Sequence, residues 1–142
     1  MNVLEWYFAF HPAAPIRDAL MGRAEWLKVF PHVEAFGYTR DGTWVFFNPQ
    51  GRRTLIFVTH HRDEIDDMIA GRLAVCSDVW KIDANADQIS MPVLRPHLHC
   101  VTQCAALMGW RAYSPAAFRR KLRKNGARIV EWKAKGPKKP TK

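Results

Sequence analysis

The fold is decided by residues 33 to 59, which read VEAFGYTRDGTWVFFNPQGRRTLIFVT. Asp41-Gly42 is a strong hairpin signal, because both residues tolerate the positive φ angles that a tight turn between paired strands requires. Gln50-Gly51 gives a second turn further along. The segments between these turns are rich in aromatic and β-branched residues, which are typical of strands. The pattern therefore predicts an antiparallel meander of three strands, at Val33–Tyr38, Trp44–Phe47 and Thr54–Thr59.

Helices and further strands are predicted on either side of this meander. Asp63 to Arg72 has an acidic first turn and apolar residues at helical spacing, so it predicts a short amphipathic helix. Ser114-Pro115 is an N-cap followed by proline at the first helical position, and Asn125-Gly126 is a matching stop. The remaining predicted elements are strands at Asn2–Phe10, Val75–Ile82 and Ala127–Trp132, and helices at Ile16–Leu27 and Leu98–Met108. The fold class predicted is α+β, in one domain over residues 1 to 132.

The charge of the chain is concentrated at its end. The formal net charge is +9, and residues 133 to 142 carry five lysines, two prolines and one glycine without any acidic residue. This composition predicts a disordered basic tail, because it offers too little apolar surface to offset the conformational entropy lost on ordering. The tail and the basic helix after Ser114 leave nucleic acid open as a partner but do not favour it, since solubility or docking onto an acidic surface explains the charge equally well.

The sequence favours a protein made in the cytoplasm. No run approaches the roughly 18 apolar residues of a membrane span, so we expect no membrane span. The first ten residues lack the anatomy of a signal peptide. Three cysteines, an odd number, indicate reduced thiols rather than a disulfide framework.

Cys100 is the first candidate for chemistry. A helix that begins near Leu98 or His99 places this thiol in its first turn, where unpaired backbone N–H groups favour the thiolate, the nucleophilic form. Cys104 lies one turn further on the same face and is expected to be buried and inert. The alternative is that both cysteines simply fill the core, as free cysteines often do.

A thiolate nucleophile needs an imidazole to exchange its proton and a third group to orient that imidazole. His32 immediately precedes the first strand of the Asp41-Gly42 hairpin, and Asn48 ends the second. Because a hairpin places its two strands side by side, His32 and Asn48 can lie within hydrogen-bonding distance. His60 and His61 are expected to be solvated, and His11, in a loop before a proline, has no evident partner.

These segments resemble a known family. Residues 30 to 37 (FPHVEAFG) and 42 to 49 (GTWVFFNP) look like the histidine strand and the following strand of circularly permuted papain-like thiol hydrolases of the NlpC-type clan. Residues 99 to 109 (HCVTQCAALMG) are similar to the nucleophile helix of that family. The resemblance covers residues 30 to 125 and implies Cys100 as nucleophile, His32 as general base and acid, and Asn48 as orienting residue. It also implies a permuted papain-like fold, an antiparallel sheet packed against a cysteine-bearing helix, and origin in a bacteriophage or prophage.

A metal site is the competing interpretation of the same segment. His97, His99, Cys100 and Cys104 supply four nitrogen or sulfur ligands within eight residues, which suits the chemistry of zinc. Their spacing disfavours it, since structural zinc sites draw ligand pairs from two separate elements. No glycine-rich phosphate loop or dinucleotide fingerprint is present, and we expect neither a bound metal nor a cofactor.

The function expected is cysteine-dependent hydrolysis of an amide bond by a peptidase or amidase. Bacterial cell-wall peptide is the substrate that the resemblance implies, with phage structural proteins as partners and association with the virion after synthesis. The alternative is a non-catalytic virion or interaction protein built on the same fold, held in an assembly by its aromatic surfaces.

Overall fold

The computed structural model describes residues 2–12, 32–50, 53–84 and 99–131. Within these ranges the chain forms six strands and three helices. In order they are β1 (Val3–Phe10), β2 (Val33–Thr39), β3 (Trp44–Gln50), β4 (Arg53–Thr59), α1 (Arg62–Val75), β5 (Asp78–Asp83), α2 (Cys100–Ala106), α3 (Pro115–Lys124) and β6 (Arg128–Ile129). The helix predicted at Ile16–Leu27 and the basic tail at 133–142 lie outside the described residues.

The strands form a single sheet in the order β4-β3-β2-β1-β5-β6, and every neighbouring pair is antiparallel. The predicted meander is confirmed as β2, β3 and β4, and its first turn contains Gly42 at a φ of 80°. The α+β class is also confirmed. The sequence pattern did not reveal that β1, the first strand in the chain, lies at the centre of the sheet between β2 and β5.

Two predicted boundaries were wrong. The strand predicted from Val75 begins only at Asp78, because α1 continues to Val75 and ends with the N–H of Cys76 donating to the carbonyl of Arg72 at 2.9 Å. Val75 is a β-branched residue typical of strands, but here it is 57% exposed at the end of a helix. The last strand, predicted over Ala127–Trp132, contains only two residues.

Helices cover both faces of the sheet. On one face, Phe8 and Phe10 of β1 pack against α2 and α3, with the ring of Phe118 at 4.9 Å from Phe8 and 5.8 Å from Phe10 between centroids. On the other face, Phe36 and Phe46 pack against the apolar side of α1. Each face therefore has its own aromatic core, and β1 and β2 contribute to both.

Gly37 is where β1 and β2 come closest. A Cβ atom at this position would lie 2.5 Å from the carbonyl oxygen of Glu5 and 2.8 Å from the side chain of Val3. A backbone oxygen cannot move aside as a flexible side chain can, so only glycine fits here.

The β4 edge of the sheet is apolar and open. Four consecutive side chains, at Leu55, Ile56, Phe57 and Val58, are between 44% and 62% exposed. Because successive side chains of a strand point to opposite faces, β4 is uncovered on both of its sides.

Candidate functional site

Cys100 is the first residue of α2 and lies at the end of the sheet. The helix is started by His99, whose N–H donates to the Thr102 hydroxyl at 3.1 Å, while that hydroxyl donates to the His99 carbonyl at 2.9 Å. Val101 and Cys104 are buried in the core beneath the helix. This packing fixes the first turn of α2 and leaves the Cys100 side chain half-buried. The prediction that Cys100 lies in the first turn of a helix is confirmed.

His32 lies immediately before β2, where the N–H of His11 donates to its carbonyl at 2.8 Å. Its ring nitrogen Nε2 is 2.7 Å from the Oδ1 of Asn48 on β3. Because a carbonyl oxygen only accepts, Nε2 is the protonated donor in this bond. The side chains of His32 and Cys100 also interact by a hydrogen bond that shifts the pKa of both groups. The structure thus brings Cys100, His32 and Asn48 together.

The ionisation of the thiol and the imidazole is coupled. Burial acts to raise the pKa of Cys100, but the hydrogen bond with His32 and the backbone N–H groups of Val33 and Val101 outweigh it, so the pKa lies below its ordinary value. Burial acts to lower the pKa of His32, but hydrogen bonds with Cys100 and Asn48 outweigh it, so the pKa is raised. Both shifts stabilise a thiolate–imidazolium pair.

The pKa values of the other two thiols are raised instead of lowered. Burial raises the pKa of Cys104 well above its ordinary value, and its sulfur donates to the carbonyl of Val33 at 3.6 Å. Burial and the nearby Glu34 carboxylate raise the pKa of Cys76 to about 11. Cys100 is therefore the one cysteine of the three, all within the described residues, whose surroundings favour the thiolate.

The sequence analysis missed a second group of polar residues beside His32. The ring of His11 lies 5.3 Å from that of His32 between centroids, and its Nε2 is 3.4 Å from the Oε1 of Glu34. Glu34 is a carboxylate only 3% exposed, and the Nε of Arg72 lies 2.8 Å from the same oxygen. The expectation that His11 has no partner was wrong, because the register of β1 against β2 could not be foreseen.

Of the zinc ligands considered from the sequence, the three that the structure describes, His99, Cys100 and Cys104, do not form a convergent group. His97 lies outside the described residues. Among the described residues, the group of three ligand-bearing side chains that converges within 4.8 Å consists of His11, His32 and Glu34. The thiols of Cys100 and Cys104 instead have the contacts with His32 and Val33 given above.

The basic helix α3 is partly engaged with the body of the protein. Arg119 donates from Nε and Nη2 to the carboxylate of Asp78 at 2.8 and 2.6 Å, and its guanidinium lies 4.1 Å above the Phe10 ring. Arg123 lies over the ring of Trp80 at 5.7 Å. Arg119 and Arg123, two cations of the helix that left nucleic acid open as a partner, therefore have partners within the protein. In the part of the chain that the structure describes, no helix is long and apolar enough to cross a membrane.

No protein-family model, curated protein or solved structure matches this chain.

Proposed function

We propose that the protein is a cysteine-dependent amide hydrolase of the papain-like kind, with Cys100 as nucleophile, His32 as general base and acid, and Asn48 as orienting residue. The observation that carries the proposal is that one imidazole serves both partners: His32 Nε2 lies 2.7 Å from Asn48 Oδ1, and the His32 side chain hydrogen-bonds the Cys100 thiol. A core-filling cysteine requires no such partners. The nucleophile, base and orienting group are the three parts that thiol acyl transfer needs.

In the proposed reaction the Cys100 thiolate attacks the carbonyl carbon of the amide and forms a tetrahedral intermediate. The His32 imidazolium then gives its proton to the amide nitrogen, the C–N bond breaks, and an amine leaves. The thioester that remains on Cys100 is attacked by water, and His32 takes a proton from that water. Collapse of the second intermediate releases the carboxylic acid and restores the thiolate–imidazolium pair. Asn48 keeps the ring in the tautomer and orientation that both proton transfers require.

The substrate proposed is bacterial cell-wall peptide, on the strength of the resemblance of residues 30 to 125 to permuted NlpC-type hydrolases. The same resemblance supports a bacteriophage or prophage setting, with delivery by phage structural proteins. Fold resemblance alone does not fix a substrate, so the experiment has to test the chemistry and the substrate separately.

The chemistry is tested with p-nitrophenyl acetate, an activated acyl donor that needs no substrate recognition. We expect the wild type to acetylate Cys100 and turn over, and Cys100→Ala to do neither. Cys76→Ala is the matched control, since it removes another half-buried thiol next to an imidazole, 3.7 Å from His11 Nε2. Equal turnover by wild type and Cys100→Ala would refute the proposal. Purified peptidoglycan, assayed for newly released amino groups, then tests the substrate.

A non-catalytic assembly role is the alternative, and the exposed β4 edge favours it. An edge strand with four exposed apolar residues offers unpaired backbone groups and apolar surface to another chain. Under this alternative Cys100 is inert toward the acyl donor, and the protein associates in a concentration-dependent way that Ile56→Lys abolishes.

A further inference from the structure

His11, His32 and Glu34 form a cluster of metal-binding side chains that the hydrolase mechanism does not use as such. One ligand atom from each lies within 4.8 Å of the other two. His11 and His32 are half-buried, and Glu34 is buried. Two imidazoles and one carboxylate are a ligand set that proteins use for zinc.

One of the three ligand spacings in this cluster is that of a tetrahedral ion, and the other two lie within 4.8 Å. Two ligands bound to one Zn²⁺ at about 2.0–2.1 Å in tetrahedral geometry lie about 3.3–3.4 Å apart. His11 Nε2 and Glu34 Oε1 are 3.4 Å apart. The sulfur of Cys76 is 3.7 Å from the same Nε2. Imidazole and thiol neighbours favour zinc over the harder magnesium and calcium ions, which prefer oxygen ligands.

Arg72 is the cation that now faces Glu34. Its Nε is 2.8 Å from the carboxylate, but this buried nitrogen makes no hydrogen bond. The side chain is held separately, by Nη1 donating to the carbonyl of Met68 at 2.9 Å. A metal bound to Glu34 Oε1 would therefore compete with the Arg72 cation for this carboxylate, although not with a hydrogen bond of the Arg72 Nε.

We propose that His11, His32 and Glu34 bind Zn²⁺, and that the bound ion switches off the Cys100 thiol by taking His32. His32 Nε2 lies 2.7 Å from Asn48 Oδ1, and the His32 side chain also hydrogen-bonds Cys100. Coordination of the His32 ring by the ion competes with these hydrogen bonds. The inhibitory half of this inference rests on the proposed function, whereas the binding half does not.

The binding half is tested by calorimetric titration of the full chain with ZnCl₂. We expect one Zn²⁺ per chain in the wild type and in Cys100→Ser, and a dissociation constant raised at least about tenfold, equivalent to about 1.4 kcal/mol, in His11→Gln. His60→Gln is the matched control, because His60 is an exposed histidine that stacks on His61 at 4.5 Å, away from the cluster. Melting curves verify that each variant is folded. If His11→Gln does not fold, Glu34→Gln is titrated in its place with the same expectation.

The inhibitory half is tested by iodoacetamide labelling of Cys100 with and without saturating Zn²⁺. We expect zinc to slow labelling in the wild type, EDTA to restore it, and His11→Gln to resist the effect at the same zinc concentration. Unchanged binding in His11→Gln, loss of binding in His60→Gln, or undiminished labelling under saturating zinc would each overturn the inference. The titration measures zinc binding independently of catalysis. A protein that binds zinc but does not hydrolyse the acyl donor counts against the proposed function alone. A protein that hydrolyses the acyl donor but binds no zinc counts against this inference alone.

Discussion

The sharpest prediction concerns the relative reactivity of Cys100 and Cys76 toward iodoacetamide. The pKa of Cys76 is raised to about 11, whereas that of Cys100 lies below the ordinary 9.0. A difference of at least about two units means at least about 100-fold more thiolate on Cys100 at neutral pH. The intrinsic nucleophilicity of a thiolate falls as its pKa falls, with a Brønsted slope of about 0.4–0.5. Over about two pKa units this makes the Cys100 thiolate about tenfold less reactive than the Cys76 thiolate, which offsets part of the difference in thiolate population. Cys100 should therefore be alkylated at least about tenfold faster.

The pH dependence follows from the signs of the two shifts. The lowered pKa of Cys100 keeps its thiolate present on the acid side of the range of an ordinary thiol, and the raised pKa of His32 keeps its imidazolium present to higher pH. Labelling of Cys100 should therefore extend to lower pH than the labelling of an unperturbed thiol. His32→Ala removes the principal hydrogen bond to the thiolate and should abolish this acid-side labelling, whereas His60→Ala should not.

The assay is peptide mass spectrometry of protein quenched at timed intervals, so that each cysteine is followed separately in the same sample. Cys104, fully buried, should label only after denaturant is added. Labelling of Cys100 at the rate of Cys76, or at the same rate in wild type and His32→Ala, would mean that no coupled pair exists. The hydrolase would then be abandoned in favour of the assembly role.

Four further outcomes test the site, the sheet, the core and the tail. Asn48→Ala should lower kcat for p-nitrophenyl acetate by about 100-fold, the scale of loss when a catalytic group is misplaced, while leaving KM nearly unchanged; an unaltered kcat would remove Asn48 from the mechanism. Gly37→Ala should lower the free energy of unfolding in urea by about 1–3 kcal/mol or more, because its Cβ meets the Glu5 carbonyl oxygen. Phe118→Ala should cost about 3–5 kcal/mol in the same assay, since its ring is fully buried. Deleting residues 133 to 142 should leave the melting temperature within about 1 °C of wild type, as a composition that cannot order itself adds no stability; a larger drop would show that the tail packs on the domain.

The parts of the site that could be predicted from sequence depend on local geometry. His32 and Asn48 lie on two strands joined by the Asp41-Gly42 turn, and a hairpin fixes which residues of its strands are neighbours. Cys100 could be placed at the start of a helix from the small and apolar residues that follow it. The meeting of Cys100 with His32 came from the resemblance, since 67 intervening residues carry no pairing signal of their own.

The cluster beside His32 depends on long-range register and could not be predicted. His11 reaches Glu34 because β1 pairs with β2 so that Ala9 lies opposite Glu34 and Phe10 opposite Val33. A register one residue different would turn Glu34 to the other face of the sheet. The sequence of β1 predicts only a buried strand. It does not indicate which strands pair with β1 in the sheet.

The backbone hydrogen bond from His11 to the carbonyl of His32, at 2.8 Å, also closes a loop in the chain. His11 and His32, which precede and follow residues 12 to 31 in the sequence, are thereby held together. Loop-closure entropy grows only logarithmically, so doubling the length of such a connection costs about 0.6 kcal/mol. Insertions or deletions between residues 13 and 31 should therefore cost little stability, because the hydrogen bond between His11 and His32 and the register of the six-stranded sheet lie outside that segment.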